Sequence, residues 1–222
     1  MSPRRSDPKT RDALVDIGAR LLSLEGPDAL STRRIAAEAG TSTMAVYTHF
    51  GGMNGLVREM VYEGFRRLRD EFARVTVTDD PVADAATYGR AYRRNALANP
   101  HLYPIMFGGT RLAGFELTEE DRQHGRYNLL DVVNCAGRCI EAKRFRAAET
   151  GMVAHQMWLA VHGLVSLELG DYLIEPWTAD ACLEAQLVGL MIGAGDTERA
   201  ATHSVAVSAK RFAGEFGAIA TV

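Results

Sequence analysis

The sequence has few cysteines and no long hydrophobic run. Its three cysteines, Cys135, Cys139 and Cys182, are an odd and small number that argues against a disulfide framework and favours a reducing compartment. No stretch reaches the roughly 18 consecutive apolar residues that a membrane-spanning helix needs, and the first 11 residues are polar and charged rather than signal-like. We therefore expect a cytoplasmic protein.

The sequence also has no large excess of either positive or negative charge. The 222 residues carry 25 Lys and Arg against 28 Asp and Glu, and 47% of them are hydrophobic. This balance excludes collagen-like, disordered and supercharged classes and is typical of a folded globular protein. Residues 1–74 carry 12 basic and 10 acidic side chains, so the front of the chain is its more basic part.

Helical periodicity dominates, and no alternating apolar and polar run is bounded by hairpin turns, so we predict an all-α fold. Apolar spacing, caps and helix breakers predict helices at about residues 9–24, 32–40, 42–50, 54–74, 81–98, 118–143, 147–169, 178–192 and 196–216. Pro100 and Pro104 forbid a continuous helix in the intervening segment. In helix 54–74 the cluster of Arg66, Arg67 and Arg69 against Asp70 and Glu71 is expected to form a solvated face.

Residues 32–50 read TRRIAAEAGTSTMAVYTHF. Two short helices that cross steeply need a small residue at the contact, which Ala36 supplies, and Gly40 can adopt the left-handed conformation of a tight turn. Val46 then faces back towards Ile35. This pattern predicts a helix-turn-helix, whose second helix is presented to the DNA major groove. Other helical hairpins contain a similarly placed Ala and Gly, and that alternative stays open at this point.

Residues 10–71 resemble the N-terminal domain of the TetR family of bacterial transcriptional regulators. The run EAGTSTMAVYTHFGG stands where that family has its turn, recognition helix and aromatic segment, and Tyr47, His49 and Phe50 are the most distinctive match. The resemblance implies a three-helix DNA-binding domain over residues 1–52 and a larger helical ligand-binding and dimerisation domain over residues 53–222. One departure is that Met53 or Asn54 stands where the family usually has a Lys. A phosphate contact there is therefore missing or made by backbone amides.

Roles for the motif side chains follow from their chemistry. Thr43 and Met44 offer a hydroxyl and a soft apolar group suited to base edges and thymine methyls. Hydroxyl and imidazole groups suit phosphate oxygens, and a helix N-terminus favours anions. The predicted DNA-binding residues are Thr32, Arg33, Ser42, Thr43, Met44, Tyr47, Thr48 and His49. Packing for Tyr47 and a plain surface position for His49 are the alternatives.

A second motif lies at residues 151–169, which read GMVAHQMWLAVHGLVSLEL with no charge between Glu149 and Glu168. The next helix, at residues 181–194, has Glu184 as its only charge. Two neighbouring helices of this composition indicate burial against a second subunit, hence a homodimer. Gly163 would permit close helix approach. Trp158, His162 and Gly163 also resemble the Trp-His-Gly signature of one class of TetR-family C-terminal domain.

Aromatic and soft side chains of this region come from helices that, in the family, surround one ligand cavity. His155, His162 and Tyr92 are the polar groups suited to orienting a ligand in an otherwise apolar site. Plain core packing is the alternative for each residue. The predicted pocket residues are Tyr88, Tyr92, Tyr103, Met106, Phe107, Phe115, Met152, His155, Trp158, Leu159 and His162.

Enzyme motifs are missing. There is no HExxH, GxSxG, phosphate loop or dinucleotide fingerprint, so we expect neither catalysis, nor a cofactor, nor a metal. Cys135 and Cys139 lie one helical turn apart, which leaves a soft-metal or redox sensor as an alternative.

The expected function is therefore a ligand-responsive, sequence-specific DNA-binding transcriptional regulator. It is expected to be a repressor that a small apolar or amphipathic molecule of unknown identity releases from a palindromic double-stranded operator. The alternative is a helical carrier of small molecules with a vestigial DNA-binding domain. We expect the effector to act through the broken segment 100–109 and the helix from Asn54.

Overall fold

The fold was analysed in a computed structural model that describes residues 7–108 and 114–217. These residues form eleven α-helices and one 3-10 turn, Pro27–Ala29, and no strand, which confirms the all-α prediction. None of these helices is long and apolar enough to cross a membrane. The α-helices are α1 (Pro8–Glu25), α2 (Thr32–Glu38), α3 (Thr43–Phe50), α4 (Met53–Phe72), α5 (Pro81–Ala98), α6 (Tyr103–Met106), α7 (Glu119–Tyr127), α8 (Leu130–Glu141), α9 (Thr150–Leu169), α10 (Ala179–Ala194) and α11 (Glu198–Phe216).

The helix predicted for residues 118–143 is instead two helices, α7 and α8. The break lies at Asn128, whose side chain is buried, and the next amide, of Leu129, bonds back to the Arg126 carbonyl at 3.0 Å. Asn disfavours a helix interior because its side chain competes for backbone hydrogen bonds. The periodicity of the flanking residues is helical on both sides, so it did not reveal the interruption.

The chain divides into two compact units. Within the described residues, the first unit contains residues 7–67, 99–108 and 114–125, and the second contains residues 68–98 and 126–217. Helix α4 therefore passes from one unit to the other at residues 67 and 68.

In the first unit, α1, α2 and α3 pack with α4 around an apolar core. Asp7 caps α1 by accepting the Lys9 amide, and the left-handed Gly26 ends it. Gly18 lets α1 approach α4 closely, because a Cβ there would lie 2.3 Å from the Met60 Cε. The fully buried core residues of these helices include Leu14, Ile35, Val46, Leu56 and Met60.

In the second unit, α5 is the central helix and packs against α8, α9 and α11. It carries charged side chains into the interior, and each of these is paired. Arg90 donates to Glu184 on α10 and to Ser208 on α11. Burial alone would raise the pKa of Asp84, but hydrogen bonds from Thr78, Arg138 and Arg211 outweigh it and hold that pKa below its usual range.

Candidate functional site

The turn between α2 and α3 has the geometry that its sequence predicts. Gly40 has a φ of +62°, a conformation that side chains other than Gly rarely adopt. The Thr41 amide then donates to the Ala36 carbonyl at 2.9 Å, which closes the end of α2. Ala36 is buried where the two helices meet. These contacts hold α3 at a fixed angle to α2.

Helix α3 has one inward and one outward face. Val46 is fully buried, whereas Met44 is 66% exposed and Tyr47 is 53% exposed. Ser42, Thr43 and Thr48 are exposed beside them, and His49 is partly exposed. Thr43, Met44, Tyr47 and Thr48 thus share one accessible surface of α3, whereas His49, two residues after Tyr47, points to another side of the helix. Ser42 precedes α3, and its side chain makes no capping hydrogen bond.

The first turn of α2 carries two arginines, one of which is exposed. Arg34 is engaged, because it donates to both Glu25 oxygens at 2.7 and 2.8 Å and to Glu38 at 3.2 Å. Arg33 is exposed and makes no ion pair within the described residues, while the neighbouring Thr32 is partly exposed. Arg33 at a helix N-terminus is suited to bind an anion.

The passage from α3 to α4 is short and tightly packed. The Gly51 amide donates to the Tyr47 carbonyl at 2.9 Å, and the Tyr47 ring lies over Gly52, where a Cβ would be 3.6 Å from its Cε1. At Gly55 a Cβ would lie 1.7 Å from the Phe50 carbonyl oxygen, so only glycine fits there. Met53 and Asn54, one of which stands where the family usually has a Lys, are the first two residues of α4.

Three of the predicted pocket residues form a hydrogen-bonded group in the second unit, which we call the Tyr92 cluster: Tyr92, Trp158 and His162. Trp158 Nε1 donates to the Tyr92 hydroxyl at 3.2 Å, and that hydroxyl lies 2.9 Å from His162 Nδ1. The Trp158 and His162 ring centroids are 6.0 Å apart. Burial lowers the pKa of His162, which favours the neutral ring.

Helix α9 places the other predicted pocket residues on its exposed side. Met152 is 61% exposed and Leu159 is 64% exposed, and His155 is exposed on the same side. The His155 ring still packs edge-on against Trp158 of the cluster, with ring centroids 6.1 Å apart. Met152 and Leu159 are not grouped with Tyr92, because the inward face of α9 carries Val153, Ala154, Met157 and Val161 instead. An almost uniformly apolar helix gives no sign in its sequence of which face is inward.

The remaining predicted pocket residues make ordinary packing contacts. In the first unit, Phe107 packs edge-on against Tyr103 and Phe65, Met106 fills the space above Gly64, and Phe115 lies under the Arg58 guanidinium at 5.0 Å. In the second unit, Tyr88 packs edge-on against Phe72, and burial raises its pKa to about 12. The predicted set is thus divided between the two units. Of the segment 100–109 that was expected to move, Gly109 lies outside the described residues.

Cys135 and Cys139 of α8 are buried, and Cys182 of α10 is partly exposed. The Cys135 thiol donates to the Pro81 carbonyl at 3.3 Å, and its hydrogen bond to Cys139, together with burial, raises the pKa of the Cys139 thiol above its usual range. The thiolate that metal binding or oxidation requires is therefore disfavoured. Within residues 7–108 and 114–217, no three metal-ligating side chains gather in one place.

A glycine turn that joins two short helices and exposes the second one defines a helix-turn-helix protein. The family described as "Bacterial regulatory proteins, tetR family" matches residues 14–60, and the one described as "Tetracyclin repressor-like, C-terminal domain" matches residues 85–190. The two matches together cover about two thirds of the sequence. The chain belongs to the tetR family of bacterial regulatory proteins.

The chain is also similar to a relative of known sequence over part of its length and to solved structures in fold. The chain is 30% identical over 110 residues to the HTH-type transcriptional regulator Rv1816 of Mycobacterium tuberculosis, a match that covers 45% of this chain and 47% of that protein. The chain thus matches about half the length of that relative. A solved structure of a Rhodococcus sp. RHA1 protein has a TM-score of 0.71 at 22% identity and covers 88% of this chain and all of its own. The TetR family transcriptional regulator PfmR from Thermus thermophilus has a TM-score of 0.66 at 18% identity, over 83% of this chain and 99% of its own. These two proteins share the fold.

Proposed function

We propose that this chain is a homodimeric, ligand-responsive transcriptional regulator that binds DNA and is released from it by a small apolar or amphipathic molecule. We infer binding rather than catalysis, and repression rather than activation. The observation that carries the proposal is helix α3, which buries Val46 and exposes Thr43, Met44 and Tyr47 behind a turn that requires Gly40. A helix held in this way fits a major groove.

Residues 1–52 carry the DNA contacts in this proposal. Thr43 and Met44, at the exposed start of α3, read base edges. The remaining predicted residues position the domain on phosphates, which are reached by hydroxyl, imidazole and guanidinium groups. These positioning residues are Thr32, Arg33, Ser42, Tyr47, Thr48 and His49.

Residues 53–222 carry dimerisation, and the outward faces of α9 and α10 support this assignment. The exposed face of α9 contains Met152, Leu159 and Leu167 and no charge, and the exposed face of α10 contains Gly189 and Ile192. A Cβ at Gly163 or Gly189 would meet nothing within 4 Å, so large side chains of a second subunit have room there. A two-fold axis pairs such a surface with itself.

The same residues carry effector binding, with the Tyr92 cluster as the polar group that orients the ligand. Its members combine three aromatic rings with a hydroxyl, an indole N–H and a neutral imidazole. Such a lining suits a largely apolar ligand with one polar, uncharged end. We retain as part of this proposal that the C-terminal domain is of the Trp-His-Gly class, with Trp158, His162 and Gly163 as its signature.

The decisive experiment selects binding sites for the purified protein from random double-stranded DNA and sequences them. Two recognition helices related by a two-fold axis predict near-palindromic sites with half-sites about one helical turn apart. Selected sites without two-fold symmetry would contradict the proposal. A protein that binds hydrophobic small molecules and enriches no DNA sequence would instead be the carrier named as the alternative.

A further inference from the structure

The chain crosses between its two units three times, at residues 67/68, 98/99 and 125/126. Within the first unit, the residues at all three crossings either belong to α4 or contact the same stretch of it. The first crossing is α4 itself. At the second, Arg67 Nη1 donates to the Asn99 side-chain oxygen at 2.7 Å. At the third, Gly125 lies against the Phe65 ring, where a Cβ would be 2.6 Å from its Cζ.

A buried carboxylate secures the third crossing. Asp121 on α7 is 1% exposed and accepts hydrogen bonds from the Tyr62 hydroxyl at 2.7 Å and from Arg58 Nε at 3.1 Å. Burial would raise the pKa of Asp121, but these bonds and those from Thr118 lower it, so the group stays charged at neutral pH. Burial and the adjacent carboxylate raise the pKa of Tyr62 to about 12, so its hydroxyl remains a donor.

Arg67 extends the arrangement to α1, which packs against the helix-turn-helix. Arg67 Nη2 donates to Asp16 on α1 at 2.8 Å, and Arg67 Nε donates to the buried Glu63 at 2.8 Å. Burial would raise the pKa of Glu63, but hydrogen bonds from Arg66 and Arg67 lower it to about 2. One guanidinium therefore links residue 99, α4 and α1 through a fixed fork of donors.

We propose that Tyr62 and Arg67 are positioning residues for DNA recognition, acting through Asp121 and Asn99. They tie the chain segments that enter and leave the first unit to α4, so these segments and α3 move as one body. A displacement that reaches residue 99 or 125 along the chain is then transmitted to the recognition helix. Without these bonds, the segments at residues 99 and 125 can move without α4, and the position of α3 is less well fixed. The inference rests on the proposed dimeric DNA-binding function.

The test uses the full-length protein and the operator that the unmodified protein selects from random DNA. The joint variant combines Tyr62→Phe, which removes only the hydroxyl, with Asn99→Ala, which removes the acceptor for Arg67. Affinity is measured for the full operator, for a single half-site, and for operators whose half-sites are moved apart by one or two base pairs. Because both of these hydrogen bonds are lost, we expect about a fivefold to tenfold loss of affinity for the full operator. Half-site affinity should stay within about twofold, and the penalty for altered spacing should shrink.

The controls separate positioning from general stability. Tyr172→Phe makes the same chemical change at a side chain that is 75% exposed and should match the unmodified protein. Tyr62→Phe with Asn99→Asp restores the acceptor for Arg67 and should recover part of the loss. Equal losses of affinity for the full operator and for the half-site would overturn this inference and leave the proposed function standing. If the unmodified protein selects no paired half-sites, the proposed function falls and this inference falls with it.

Discussion

At the residue scale, the proposed function gives neighbouring side chains of α3 different tasks in DNA binding. The exposed hydroxyl of Tyr47 belongs to a ring that lies over Gly52, near the end of the helix, whereas Met44 projects from its first turn. Phosphate contacts carry no sequence information, whereas contacts to base edges do. Substitutions at the two positions should therefore differ in kind and not only in size.

Tyr47→Phe removes one hydrogen bond, so binding should weaken by roughly 1 kcal/mol at every operator sequence. Met44→Ala should instead change the order of preference among operator variants, because it removes an apolar contact with the bases. Competitive mobility shifts on a panel of single-base operator variants measure both effects. A changed preference order for Tyr47→Phe together with an unchanged order for Met44→Ala would reverse the assignment.

His162 predicts a pH dependence of stability. Burial lowers its pKa below the ordinary value of 6.5, so the unfolded chain binds this proton more readily than the folded chain does. The free energy of unfolding should therefore fall as the pH falls through about 6.5. His162→Gln should flatten this part of the profile in thermal melts at pH 5, 6 and 7. Identical slopes for the two proteins would show that His162 titrates alike in both states.

At the element scale, the α2–α3 turn depends on one backbone conformation. Gly40 has a φ of +62°, and an L-residue in this region costs roughly 1–2 kcal/mol, less for Asn. Gly40→Ala should lower the melting temperature and weaken DNA binding, and Gly40→Asn should do so less. Since a Cβ at Gly40 would meet no atom within 4 Å, the expected loss comes from backbone strain and not from a clash. Equal melts for Ala and Asn would contradict this reason.

Helix α9 should be the element most sensitive to charge. Leu159→Glu places a carboxylate on the uncharged outward face, which a second subunit would bury without a partner. Sedimentation velocity should show a shift from dimer towards monomer. Leu24→Glu is the matched control, because Leu24 on α1 is equally exposed, at 64%. If both variants remain dimeric, the proposed dimer surface is wrong.

At the scale of the whole molecule, the net charge of −3 does not attract DNA, so binding must come from local cations. Cations that neutralise phosphates release counterions, and affinity should fall by about tenfold or more between roughly 50 and 200 mM salt. Arg33→Gln should reduce the slope of log affinity against log salt by about one per subunit. Fluorescence anisotropy of labelled operator DNA across a salt series measures this slope. An unchanged slope would show that Arg33 does not contact a phosphate.

Much of this molecule follows from local pattern. The bounds of α5, the turn at Gly40, and the inward Val46 beside outward Met44 and Tyr47 were all predictable, because helix periodicity and glycine conformation are properties of adjacent residues. The helix-turn-helix spans about twenty residues, and the spacing of its buried Ile35, Ala36 and Val46 is visible in that short stretch of sequence. Its exposed face is therefore encoded almost entirely in its own sequence.

Contacts between distant residues were decided by the tertiary structure alone. The run of arginines on α4 was expected to be a solvated face, yet Arg67 bonds to Glu63, Asn99 and Asp16. The buried pairing of Asp121 with Tyr62 joins residues 59 positions apart. In the same way, α9 has no Asp, Glu, Lys or Arg before Glu168, and its packing against α5, α8 and α10 determined that Met157 faces inward and Leu159 outward. Sequence periodicity locates a face only where polarity varies around the helix, and long-range pairing has no period to detect.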